Sequence, residues 1–164
     1  MERALFVIAV FAMSLVTLPV GAISKEQEAI IKDRCETIRE NLKTVQKRDA
    51  KARVYLGGYY ETILSKYMTP LNVRLVENNI SDVALIENQN SFAKAKTGFA
   101  EDFVGYQKAL EELVLMDCKN EPAKFYEELE AVRAKRAKME KDMAKITDLT
   151  NKHRELVTEL KGRM

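Results

Sequence analysis

Tryptophan is missing from this chain, and among its 164 residues there are only 6 glycines, 3 prolines, 2 cysteines and 1 histidine. Each shortage excludes a class of protein. A many-stranded sheet needs frequent glycine and proline turns, so an all-β fold is ruled out. Gly57-Gly58 and Gly98 have no strand-loop-helix context, which excludes a phosphate-cradling glycine loop. A lone histidine, His153, without Cys, Asp or Glu at ligand spacing argues against a zinc site. Charge of one sign is also lacking: 27 Lys and Arg against 25 Asp and Glu leave +2, so no global field draws the chain to nucleic acid. No nucleophile elbow, HExxH, Walker loop or paired-carboxylate pattern occurs, and the expectation is a protein that is not an enzyme and needs no cofactor or metal.

What remains is the diet of long helices, 32% charged and 46% hydrophobic, at a length suited to one domain. Met1, Glu2 and Arg3 precede an uncharged stretch from Ala4 to Ser24, apolar from Leu5 to Leu18. Pro19 then breaks the run before the small residues Gly21 and Ala22, a pattern that predicts a signal peptide over 1–22, cleaved after Ala22. The alternative is an uncleaved anchor, long enough to cross ~30 Å of hydrocarbon. Cleavage leaves a single domain, 23–164, secreted or periplasmic. Two cysteines in an oxidising compartment point to a Cys35–Cys118 disulfide, with two buried thiols as the alternative.

Three apolar seams alternate spacings of four and three residues, as in a coiled coil. The first runs from Ile31 through Cys35, Ile38, Leu42, Val45, Asp49, Ala52, Leu56, Tyr59 and Ile63 to Lys66. The second runs from Leu85 through Gln89, Phe92, Lys96, Phe99, Phe103, Tyr106, Leu110 and Leu113 to Asp117, and the third from Leu129 through Val132, Arg136, Met139, Met143, Ile146, Thr150, His153, Val157 and Leu160 to Met164. Ser24 with Gln27 forms a capping box, and Asn120-Glu121-Pro122 carries a helix start. Thr69-Pro70 is expected to kink helix one, because proline removes an amide donor. The reading is all-α: an elongated, coiled-coil-like up-down-up three-helix bundle with helices at about 24–78, 81–118 and 121–163. About 40 residues per helix make a rod of about 60 Å.

The arms of the first hairpin test this register. Cys35 lies 44 residues before Asn79 and Cys118 lies 39 after it, so the two cysteines come to one height. In the same register Arg136 comes level with Asp49. Both are misfits in apolar seams, and a buried Asp49–Arg136 ion pair explains two misfits at once; the alternative is that either side chain reaches out along the seam edge. Thr150 and His153 come opposite Tyr67 and Gln89 in a second polar level, while Gly57-Gly58 and Gly98 share a height that allows close helix contact or bending. Arg133, Lys135, Arg136, Lys138, Lys141 and Lys145 interleave with acids and read as a solvated flank. Asn79-Ile80-Ser81 is a glycosylation sequon if the source is eukaryotic.

Arg34-Cys35-x-x-Ile38, the Asp49 seam break and Asp117-Cys118 before a long final helix resemble uncharacterised exported helical proteins of candidate-phyla bacteria. The resemblance implies an extracytoplasmic location and supplies no activity. The functional expectation is a structural or protein-interaction module of the cell envelope whose partner is another envelope or surface protein, touching membrane only if the signal stays uncleaved. The rival is a holdase chaperone or carrier that opens Met139, Met143, Phe99 and Phe103 to apolar clients.

Overall fold

A computed structural model of the protein describes residues 23–163. The expected signal peptide and Met164 lie outside the described residues. The described chain is helical from Lys25 onward, with no strand. Helix α1 spans Lys25–Asp33, α2 Cys35–Thr62, α3 Thr69–Glu77, α4 Val83–Leu115 and α5 Pro122–Arg163, with a π-helical segment, Ile63–Met68, between α2 and α3. None of these helices is long and apolar enough to cross a membrane.

Local chemistry sets the boundaries. The Ser24–Gln27 capping box is reciprocal: Ser24 N–H donates to Gln27 Oε1 at 2.9 Å and Gln27 N–H to Ser24 Oγ at 3.2 Å. At the first turn Asn79 takes a left-handed φ of 57°. Around it Ile80 N–H reaches Leu75 O (2.8 Å) and Asn79 N–H reaches Val76 O (3.0 Å), a Schellman closure sealed by Ile80 packing with Leu75. Asp82 then caps α4 through Leu85 N–H. The second turn differs from expectation: Asp117 Oδ1 accepts from the amides of Lys119 and Asn120, and the Asn120 side chain donates back to Asp117 instead of capping α5.

At Pro70 the chain stays helical: the α-helix gives way to the π segment Ile63–Met68, where more residues fit in each turn, and resumes as α3 at Thr69 with Pro70 in its first turn, where a missing amide costs least. The buried row runs Tyr60, Ile63, Met68, Asn72, Leu75, and Tyr59 and Lys66, both assigned to the seam from periodicity, are exposed; of these only Lys66 lies within the π segment. The step of five from Ile63 to Met68 is the width of a π turn.

Helix α4 is the spine. Phe92, Phe99, Phe103, Tyr106, Leu110 and Leu113 are each at most 2% exposed, and the rings of Phe99, Phe103 and Tyr106 meet edge to face in succession. Helix α5 packs along one side of α4, α2 and α3 pack along another, and α1 touches α5. Phe99, Phe103 and Met139, which the rival carrier reading offers to clients, are buried in this core. A Cβ added at Gly57, Gly58 or Gly98 would meet no atom within 4 Å, so close helix approach does not explain these glycines, contrary to the reading from their shared height.

Candidate functional site

Cys35, the first residue of α2, and Cys118, just after α4, form a disulfide with their Cα atoms 5.6 Å apart. Both are buried, and Arg39 Nε donates to the carbonyl of Val114 at 3.2 Å, satisfying the last turn of α4 across the hairpin. Asp82, the N-cap of α4, pairs with Arg163, the last residue of α5, at 2.5 Å. The Leu85 amide and then Arg163 hold the Asp82 carboxyl below the usual range.

Within α2, Asp49 is buried and Arg136 Nη1 stands 3.6 Å from its Oδ2, while the Arg136 side chain stays 36% exposed and also reaches Glu140. The stronger contact is one that seam periodicity hid. Tyr106, counted only as an aromatic seam residue, donates its hydroxyl to Asp49 Oδ2 at 2.8 Å, and Arg48 Nε donates to Asp49 Oδ1 at 3.2 Å. Burial, then the bond to Asp49, pushes the Tyr106 phenol up to about 12.

A second carboxylate contact was also invisible to spacing, because its members sit on different helices. Asp142 of α5 comes beside Asp102 of α4, with Lys138 Nζ donating to Asp102 Oδ1 at 2.7 Å and Asp142 Oδ2 buried without a hydrogen-bond partner. Lys138 draws Asp102 down, while burial and Asp102 push Asp142 up. Arg133 pairs with Glu130, so the interleaved basic flank of α5 is in part neutralised by neighbours.

A half-open lateral groove of about 750 Å³ lies between residues 59–74, from the end of α2 through the π segment into α3, and Thr147–Lys161 of α5. Both walls lean on α4 through amides beneath the groove. Asn72 donates to Leu85 O and to Gln89, Gln89 donates to Thr69, and Asn88 donates to Leu149 O of α5. Thr150, His153 and Tyr67 of the expected polar level do face one opening, whereas Gln89 lies under it. His153 is half-buried, and desolvation alone lowers its pKa. Tyr60, Ile63, Leu71 and Val157 form an apolar floor. Lys66 and Arg74 stand on one bank, Arg154 and Lys161 on the other, and no Asp or Glu lines the groove. None of these four cations makes a salt bridge with a described residue. Among the described residues no group of three or more His, Cys, Asp or Glu is placed to hold a metal. Compared with protein-family models, with curated proteins and with solved structures, the chain matches none.

Proposed function

We propose that this is an exported, non-enzymatic structural or protein-interaction module of the cell envelope, which binds another envelope or surface protein through its lateral groove. Its working form in this reading is an up-down-up three-helix bundle, with α1 to α3 as one bent arm and α4 and α5 as the others, released behind a cleaved signal. The disulfide between α2 and the end of α4 and the Asp82–Arg163 pair between the start of α4 and the end of α5 support that topology, and the resemblance to exported helical proteins supports the address. The observation that carries the function is the groove: its four cations make no salt bridge with a described residue, Arg154 donating to the Asn151 side-chain amide, and its two walls are joined to α4 by buried amides. A rod of helices offers length and side surface rather than a deep cleft.

Photo-crosslinking decides between surfaces. A benzophenone amino acid at Tyr67, in the groove, should give a discrete protein adduct in the native envelope, and one at Val104, exposed on α4 and absent from the groove lining, should not. Equal labelling from both positions, or none from either, would remove the interaction reading. The carrier reading has one observation in its favour, a volume within the ~300–1,000 Å³ of small-ligand sites. It requires the native protein to bind a hydrophobic dye, and a groove half open to water and rimmed by charge should bind little.

A further inference from the structure

Resting on that reading, we propose that the groove takes an acidic amphipathic α-helix of a partner protein, which lies between helix one and α5 as a fourth helix with its carboxylates facing Lys66, Arg74, Arg154 and Lys161.

The argument begins with length. From Thr147 to Lys161 α5 lines the groove over 14 residue steps, about 21 Å at 1.5 Å per residue, which is about four turns of a facing helix. Width is set by architecture. α4 packs against both walls; Tyr60 and Ile63 of the floor are already buried, and the apolar stripe left uncovered among the described residues comes from Tyr59 and Tyr67, 51% and 64% exposed, with Leu71 and Val157 partly so. Helices bury such a stripe by adding another helix. Charge then selects the partner. Lys66 and Arg74 are eight residues apart and Arg154 and Lys161 seven, so each bank carries two cations about two turns apart. A helix with an apolar stripe flanked by carboxylates at i and i+7 meets both banks, by the logic that flanking charges use to choose partners in coiled coils. A basic helix would place like charge against unpaired cations. The free cations stand on both banks rather than in one patch, which fits a rod lying along the groove better than a flat anionic membrane.

The oxidised full chain is titrated against two synthetic 16-residue peptides that share one leucine stripe at i, i+3, i+4 and i+7. One carries Glu on both flanks and the other Lys, and anisotropy is read at low and high salt. The Glu peptide should bind at least tenfold more tightly than the Lys peptide, and the preference should shrink as salt screens the exposed charges. Arg74→Glu with Arg154→Glu should reverse the preference while circular dichroism and melting stay native, since both side chains are exposed and unbridged. Equal binding of the two peptides, or a preference unchanged in the double variant, overturns the proposal. So does a second copy or a lipid as occupant: a dimer in sedimentation that dissolves in the double variant, or phosphatidylglycerol vesicles that bind while the Glu peptide does not. If the Tyr67 crosslink forms and the Glu peptide fails, the interaction reading stands and the acidic helix falls.

Discussion

Asp49 offers a test in which geometry reverses the order that sequence height suggested. From the seams alone Asp49 and Arg136 form a buried pair, and removing either would cost about 3 kcal/mol. The coordinates divide the role differently. Tyr106 is 1% exposed and donates to Asp49 at 2.8 Å, whereas the Arg136 guanidinium is 36% exposed at 3.6 Å and shares itself with Glu140. A hydrogen bond to a buried charge contributes about 1.5–3 kcal/mol, and a solvent-reached ion pair about 0–1. The Asp49–Tyr106 coupling should therefore be about 2 kcal/mol and the Asp49–Arg136 coupling about 0.5. Two double-mutant cycles, Asp49→Ala with Tyr106→Phe and Asp49→Ala with Arg136→Met, measure both by urea unfolding of the oxidised protein at neutral pH. In the Asp49→Ala background Tyr106→Phe should become neutral or stabilising, because the hydroxyl it removes has lost its acceptor. Additive effects for Asp49 and Tyr106, or a larger coupling to Arg136, would refute the reasoning.

The same contact has a signature in alkali. The Tyr106 phenol is raised from 10.0 to about 12. A group whose folded pKa is raised contributes fully below its unfolded value and loses that contribution as pH climbs through the folded one. Stability should accordingly decline between about pH 10 and pH 12, and this share of the decline should disappear in Tyr106→Phe.

Replacing both Cys35 and Cys118 by Ser should lower stability by up to about 4.5 kcal/mol in the chain-entropy model for a separation of 83 residues, read by urea unfolding; an unchanged midpoint would show that the clamp is redundant. Gly57→Ala, Gly58→Ala and Gly98→Ala should each raise stability by about 0.5–1 kcal/mol, since the added methyl meets open space inside a helix; loss of stability in the melt would mean that helix one needs its glycines to bend. Asp142→Asn should raise the melting temperature at pH 7 by removing the charge beside Asp102. Because the folded pKa of Asp142 is raised, its favourable contribution is present below the ordinary 3.8 and lost above it, so the gain should vanish near pH 3; a gain that persists there would mean the two carboxyls do not interact. Asp82 has the opposite sign: its lowered pKa contributes above 3.8 and fades as pH falls, so Asp82→Ala should destabilise at pH 7 and less so in acid, as followed by thermal melts.

Which of these features could be read from the sequence depends on how far the physics behind each one reaches along the chain. Caps and turns are local, so the Ser24–Gln27 box and the α5 start at Pro122 were legible from a few neighbouring residues. The disulfide is long-range, yet helical rise is nearly constant and two arms of similar length must return Cys118 to Cys35. The excess on the first arm is absorbed in part by the π segment, where more residues fit in each turn. The same segment is why periodicity failed at Lys66, because a fixed spacing of four and three has no place for the step of five from Ile63 to Met68; at Tyr59, upstream of the segment, spacing alone could not choose between two neighbouring tyrosines. Tyr106 and the Asp102–Asp142 contact were missed for another reason. Seam analysis sorts residues into apolar and misfit along one helix, so a tyrosine passes as apolar and a carboxylate on a flank passes as solvated, whatever faces it from the next helix. The groove is the extreme case, for nothing along the chain marks Lys66, Arg74, Arg154 and Lys161 as companions. They become a set only when α4 holds two helices apart at a fixed width, and their lack of internal carboxylates is therefore a property of the fold as a whole.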